Sequence, residues 1–348
     1  GYSESDGTTA EILPNRRYLQ FQELLTATPI VTEAGNADSG CNIFTTSGTT
    51  SAPKFVLHKQ SVIVQHALDV ADACDYQQAD TSSLLVMPLC GVFGFCQALG
   101  ILAARRPLTL VTAYDTDETA RLIDEHRITH LFGSDDMLHR LLQGATNQHP
   151  FSSLRFYGTA RFNSALDDIV EQAEERGICA VGLYGMSEVQ ALFSSQSPTA
   201  SVQQRKLAGG IPVSSLAQVR ACDPESGTVL EHGQDGELQI RGPSLMVEYF
   251  ANPEASTAAF TNDQFFKTGD MGQTCSDGSF IFKARMGDVL RLGGFLVNPQ
   301  EIETFIASHT TVADCQVVAI ESKAGAKAVA FVTMQANTKL DENGLVDY

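Results

Sequence analysis

The chain has 348 residues, of which 43% are hydrophobic and 18% charged, enough apolar material for more than one core, so two or more domains are expected. Lys and Arg number 23 against 41 Asp and Glu, a net charge of −18, which argues against a nucleic-acid partner and against an anionic membrane surface. No apolar run approaches the roughly 20 residues of a membrane span, and the polar, acidic start Gly1-Tyr2-Ser3-Glu4-Ser5-Asp6 reads as free of a secretory signal.

In chain order, Tyr18 to Leu25 has helical spacing, and a loop follows to Gly40. Cys41 to Phe44 and Phe55 to His58 read as short strands joined by Thr45-Thr46-Ser47-Gly48-Thr49-Thr50-Ser51-Ala52-Pro53-Lys54. The next stretch alternates buried strands (Leu84–Met87, Leu108–Val111, Ile128–Phe132, Leu154–Tyr157, Cys179–Leu183) with helices (Thr116–His126, Ser134–Leu142, Ser164–Glu175), several opening at a Ser or Thr suited to capping. That alternation implies an α/β large domain, a mostly parallel sheet covered by helices. After about residue 205, turn signals such as Asp223-Pro224-Glu225-Ser226-Gly227 and Gln234-Asp235-Gly236 punctuate short strands, which predicts a small antiparallel or β-barrel-like subdomain. From about residue 286 a strand, a helix opening at Pro299, and strands over Cys315–Ile320 and Ala328–Met334 read as the start of a small α+β domain. The eight cysteines are scattered with no C-x-x-C, and the eight histidines form no metal-spacing cluster. The cysteines are therefore read as reduced, mostly buried residues of a cytoplasmic protein.

The loop ending in Lys54 concentrates six hydroxyl side chains, a glycine and free backbone N–H groups ahead of one cation, a donor set suited to an anion such as phosphate. A Walker loop would need G-x-x-x-x-G-K-[ST] between strand and helix, whereas Pro53 precedes Lys54 and Phe55 follows it. A flexible Ser/Thr/Gly linker is the alternative reading of the loop alone. Further on, Tyr184-Gly185-Met186-Ser187-Glu188 follows a strand, at the carboxyl end of a parallel sheet where α/β ligands usually bind, though alone it is equally an ordinary turn. Thr268-Gly269-Asp270 places a carboxylate, able to accept from a vicinal diol, in a turn-favouring context. Arg285 opens a long run through Gly287-Asp288, Gly293-Gly294 and Pro299 to Glu303.

Together these stretches resemble the adenylate-forming superfamily, the AMP-forming acyl-CoA synthetases and their relatives, over nearly all of residues 41 to 334. The loop resembles its signature loop, with Ser51 where members usually carry glycine. Tyr-Gly-x-Ser-Glu matches its Tyr-Gly-x-Thr-Glu, and Gly158-Thr159-Ala160 stands where members have Gly-Gly-Ala-Pro. Gly236-Glu237-Leu238 with Arg241-Gly242 are supporting matches.

The resemblance implies that Thr46, Ser47, Gly48, Thr49, Thr50 and Lys54 handle the phosphates, and that Gly158, Thr159, Tyr184 and Gly185 surround the nucleotide. It also implies that Ser187 bonds a phosphate, Glu188 holds Mg2+, and Asp270 with Arg285 fix ribose; Lys54, Ser187 and Glu188 would be catalytic. ATP, Mg2+ and coenzyme A would be the cofactors. Residues 1–284 would form the large domain, short at its N-terminus, 285–288 the hinge with Gly287 at the pivot, and 289–348 a truncated small domain lacking the family's late lysine. The implied activity is ATP-dependent conversion of a carboxylic acid to an acyl-adenylate and transfer to the thiol of coenzyme A. Loading of a carrier protein's phosphopantetheine, or nucleotide binding without ligase activity, are the alternatives. Amino-acid-activating relatives usually place an aspartate for the ammonium in the segment matching Met87–Phe95; none is here, so an α-amino acid is not expected, and the apolar Phe93, Phe95, Val189 and Phe193 favour a fatty or aromatic acid. Phe93, Phe95, Val189 and Phe193 are either its pocket or core.

Overall fold

The computed structural model describes residues 26, 28, 35–46, 53–160, 166–286, 290–292, 295–297, 299–322, 325–336 and 338. Packing separates 1–36 from 37–348, and the fold is that of the second unit. The helix expected over Tyr18–Leu25 lies outside the described residues. β1 (Gly40–Thr45) and β2 (Phe55–Lys59) form the expected antiparallel hairpin around the hydroxyl-rich loop.

Helix α1 (Gln60–Ala73) then leads to β3 (Ser83–Leu85), α2 (Val92–Ala103) and β4 (Leu108–Leu110). These are followed by α3 (Thr116–Glu125), β5 (His130–Ser134), α4 (Asp135–Gly144), β6 (Phe156–Ala160), α5 (Ile169–Glu175) and β7 (Ala180–Met186). Strands β4-β3-β5-β6-β7 pair in parallel. Neighbouring residues of β5 show why the sheet needs cover on both sides. Leu131 joins a core with Ile123, Leu138 and Ile169 from α3, α4 and α5, while Phe132 joins one with Val70 and Ile101 from α1 and α2. Successive strand side chains point to opposite faces, so a strand apolar at both must be sandwiched. Ser134 caps α4 as expected, its Oγ accepting from Met137 N at 3.2 Å, whereas α3 is capped not by Thr116 but by the preceding Asp115, whose Oδ1 accepts from Glu118 N at 2.9 Å. One further sequence reading is corrected and one is only partly covered. Helix α5 is described over Ile169–Glu175, with Asp168 at its N-cap position making no side-chain cap hydrogen bond, whereas Ser164, where the sequence reading opened the helix, lies outside the described residues. Half of the cysteines are buried, while Cys41 and Cys90 are exposed.

After β7 come β8 (Gln190–Ser195), α6 (Val202–Arg205), β9 (Gly209–Pro212), β10 (Gln218–Cys222), β11 (Gly236–Arg241), β12 (Glu248–Tyr249), α7 (Pro253–Ala259), β13 (Phe266–Thr274) and β14 (Phe280–Arg285). These strands do not pair as a separate barrel. They continue the parallel sheet antiparallel in the order β7-β8-β9-β14-β13-β11-β10, giving eleven strands among the described residues. The barrel-like character survives as curvature. Four strand spacings separate β7 from β13, about 19 Å in a flat sheet, yet Tyr184 of β7 donates its hydroxyl to Asp270 of β13 at 2.6 Å. The sheet must coil over the aromatic cluster of Tyr184, Phe193, Phe280 and Phe282. Strand β12 joins β2 instead, making a three-stranded sheet with β1.

At the C-terminal side, β15 (Leu290–Leu292) and β16 (Phe295–Val297) pair, α8 (Pro299–Ala307) opens at Pro299 as expected, and β17 (Val312–Ser322) pairs with β18 (Gly325–Met334). Val312, Cys315 and Val317 bury against Ile302 and Ile306 of α8. The expected pivot Gly287-Asp288 and the pair Gly293-Gly294 lie outside the described residues.

Candidate active site

The two ends of the hydroxyl-rich loop clasp each other. Thr46 N donates to Lys54 O at 3.0 Å, and Lys54 N donates to Thr46 Oγ1 at 3.3 Å. Ser47, Gly48, Thr49 and Thr50 lie outside the described residues. The Lys54 ammonium sits 4.6 Å from the ring centroid of Tyr249, an aromatic the sequence reading did not single out.

Strand β7 ends in a 3-10 turn, Ser187–Val189, that folds back into β8. Gly185 permits the fold: a Cβ there would stand 2.1 Å from Ala191 O. The turn is held from β2. His58, directed inward by the alternation of Phe55, Val56, Leu57 and His58, places Nε2 2.7 Å from Ser187 O. Burial lowers the His58 pKa, so the neutral ring donates from Nε2. Glu188 is buried at 8% exposure, accepts the Tyr249 hydroxyl at 2.8 Å on Oε1, and accepts Met246 N on its backbone carbonyl at 2.8 Å. Gln190, held at φ +68°, accepts Cys96 Sγ on Oε1 at 3.0 Å. The strand alternation offered a signal for His58; for Gln190 and Tyr249 there was none.

Asp270 and Arg285 are directly opposed in the β13–β14 register, and their carboxylate and guanidinium form a 3.0 Å ion pair. The part of β13 before Asp270 is locked to β11: Thr268 Oγ1 donates to Leu238 O at 2.6 Å and accepts Asp270 N at 3.0 Å, while Glu237 Oε1 accepts Gly269 N at 3.3 Å. Gly269 takes φ +69°, a conformation side chains resist. Burial raises the Asp270 pKa to about 6 against the opposing pull of Arg285 and Tyr184, with Glu188 and Glu237 adding to the rise. Glu188 therefore lies within electrostatic range of Asp270, as Arg285 does of Tyr249.

Gly158 and Thr159 lie on β6, with Thr159 registered against Gly182 of β7. Thr159 is fully buried, and its Oγ1 has no hydrogen-bond partner among the described residues. Val189 and Phe193 are core, at 0% and 1% exposure, whereas Phe93 and Phe95 are half-buried. The structure thus gathers Lys54 and Glu188 around Tyr249, and Tyr184 and Arg285 around Asp270.

This donor set fits a nucleotide with a divalent cation. It offers two carboxylates, an ammonium and a half-exposed guanidinium. Asp270 Oδ1, although ion-paired, makes no hydrogen bond and keeps lone pairs for a hydroxyl. Among the described residues no group of three or more His, Cys, Asp or Glu forms a metal cage of its own, so a cation here would be shared with phosphate oxygens, as Mg2+ usually is.

The sequence profile of the AMP-binding enzyme family matches residues 4–250. The chain belongs to the AMP-binding enzyme family. Relatives are named as CoA ligases: 4-coumarate–CoA ligase-like 6 of Arabidopsis thaliana is 27% identical over 89% of this chain. The chain spans 56% of that relative's length. ATP-bound MatB from Rhodopseudomonas palustris superposes with a TM-score of 0.81 at 25% identity, over 92% of this chain and 63% of that one. The o-succinylbenzoate CoA synthetase MenE from Bacillus subtilis, in complex with its acyl-adenylate intermediate, superposes at 0.80 with 26% identity, over 94% of this chain and 66% of that one. The large sheet flanked by helices is therefore the fold of the family to which the chain belongs.

Proposed function

We propose that this chain carries the nucleotide-handling part of an ATP-dependent acid:CoA ligase that activates a fatty or aromatic carboxylic acid. The observation that supports it most is the convergence of Lys54, Glu188, Asp270 and Arg285 from the loop end before β2, the turn after β7, β13 and β14. A free carboxylate is a poor acyl donor because its leaving group would be oxide. Attack of its oxygen on the α-phosphorus of ATP expels pyrophosphate and leaves an acyl-adenylate. A thiolate then forms the thioester bond as the bond to AMP breaks.

Such a step is governed by positioning and charge neutralisation. Lys54 would neutralise phosphate charge, and the Ser187 hydroxyl would bond a phosphate oxygen. Tyr184 would lie beside the adenine, and Asp270 with Arg285 would hold the ribose hydroxyls. Glu188 would hold Mg2+, which when bound offsets phosphate charge. The hinge is proposed at 285–288, dividing a large domain (1–284) from a small one (289–348). The names of the relatives, 4-coumarate and o-succinylbenzoate ligases, support an aromatic acid within the class and coenzyme A as acceptor. No helix among the described residues is long and apolar enough to cross a membrane, and a cytoplasmic location is part of the proposal.

The test is acid-dependent exchange of labelled pyrophosphate into ATP by the full-length protein, across a panel of fatty and aryl acids. Exchange with at least one acid, followed by thioester formation with free coenzyme A, is expected. Exchange with no acid overturns the proposal; transfer only to a phosphopantetheinyl carrier protein overturns the choice of acceptor. Lys54→Ala is expected to lower the exchange rate at least 100-fold by removing a cation from the transferring phosphates.

A further inference from the structure

Lys54 and Glu188 are opposite charges within reach of one tyrosine, yet no ion pair joins them among the described residues. Tyr249 separates them. Its ring carries the ammonium at 4.6 Å from the centroid, while its hydroxyl donates to Glu188 Oε1 at 2.8 Å. Neither contact cancels a charge. A ring face attracts a cation while leaving it cationic, and a phenol donating to a carboxylate orients it as an anion.

Tyr249 is itself fixed. It is 4% exposed, registered against Val56 of β2, and its backbone N–H donates to Ser256 Oγ at 2.9 Å; the next residue, Phe250, donates its N–H to Phe55 O at 2.7 Å. A phenol is ordinarily protonated at physiological pH, so Tyr249 is a donor there.

We infer that Tyr249 is a positioning residue that keeps Lys54 and Glu188 apart as two available charges, one for phosphate and one for the divalent cation. The inference rests on the functional reading above and adds a residue to it. Without Tyr249 the ammonium and carboxylate would close on each other, and nucleotide would have to break that pair before binding.

Equilibrium dialysis of ATP against the full chain at graded Mg2+ tests this, with thermal melts to verify folding. Tyr249→Phe keeps ring and volume but removes the hydroxyl. It is expected to raise the Mg2+ concentration for half-maximal ATP binding roughly tenfold, the scale of one hydrogen bond to a charged group. ATP retention without Mg2+ should be unchanged. Tyr249→Leu, which also removes the ring, is expected to weaken Mg2+-free ATP binding severalfold. In a Glu188→Gln background Tyr249→Phe should have no further effect, a result that a merely structural tyrosine would not give.

An unchanged or lowered Mg2+ requirement in Tyr249→Phe, with normal binding by the wild-type chain, overturns the inference alone. So does a Tyr249→Phe effect that persists beside Glu188→Gln. If the wild-type chain binds no Mg-ATP at any concentration, the functional reading falls and this inference with it.

Discussion

Asp270 concentrates the conflict between stability and function in one residue. It is 1% exposed, with a pKa raised to about 6 by burial and then by the charges of Glu188 and Glu237, against its partners Arg285 and Tyr184. Its folded pKa lies above that of an unfolded aspartate, 3.8. The native state therefore holds the extra proton between those values, and Asp270's contribution to stability falls as pH rises from 3.8 through 6. At neutral pH the fold carries an ionised carboxylate at a net cost, which makes sense only if a ligand uses it. Asp270→Asn should accordingly raise stability by about 1 kcal/mol in chemical denaturation, since Tyr184 can still donate to the amide oxygen and the half-exposed Arg285 can turn to water. The same variant should weaken ATP binding at least tenfold in the dialysis assay. Wild-type ATP affinity should fall as pH is lowered through 6, and the variant's affinity should be flat there.

The element that brings the chemistry together is the hairpin of β7, the 3-10 turn and β8. Gly185 faces Ala191 O so closely that any Cβ would stand 2.1 Å from it. Gly185→Ala should therefore part the hairpin, lower stability by roughly 2–4 kcal/mol in urea unfolding, and abolish ATP retention by moving Ser187 and Glu188. Much of this element was legible in the sequence. The apolar run of β7, the glycine and the Ser-Glu pair stood in view, as did the α/β alternation, because buried parallel strands and capped amphipathic helices leave local patterns. What stayed illegible depends on pairings far apart in the chain. That Phe280 and Ile281 of β14 pair with Gly210 and Gly209 of β9, so that the sheet continues and coils instead of closing a separate barrel, leaves no local mark. Nor does Tyr249: in sequence it is one more aromatic before Phe250, and only the β2–β12 pairing sets it between Lys54 and Glu188. The sharp turn at Gln190, in a left-handed conformation without a glycine, was equally hidden.

At the scale of the whole molecule, the packing of the helices against the sheet makes the fold sensitive to acid. His66 on α1 is 2% exposed among Ile63, Ala67, Phe95 and Leu99, with neither ring nitrogen hydrogen-bonded, and burial lowers its pKa to about 3. His130 at the start of β5, 5.0 Å from the ring of Tyr76 and bonded to Thr129 Oγ1 at 2.8 Å, is lowered to about 4 by burial and then by Arg155. Unfolding releases both to an ordinary value near 6.5, so the unfolded chain takes up protons that the fold excludes. Their contribution is fully present above pH 6.5 and is lost as pH falls toward 4 and 3. Protonation of Asp270 acts in the opposite direction, while His58, whose pKa burial also lowers, adds to the two histidines. The net expectation is a loss of about 2–4 kcal/mol of unfolding free energy between pH 8 and pH 5, measured by urea titration at fixed ionic strength. His66→Leu separates this cause from general carboxylate effects. It fills a similar volume, removes two unpartnered nitrogens from a surround of Ile63, Ala67, Phe95, Leu99, Cys96 and Gln190, and should be neutral or stabilising at pH 8. At pH 5 the variant should be about 2 kcal/mol more stable than the wild type. An equal pH dependence in the two proteins would show that His66 is not excluded from protons in the fold, and would place the acid sensitivity elsewhere.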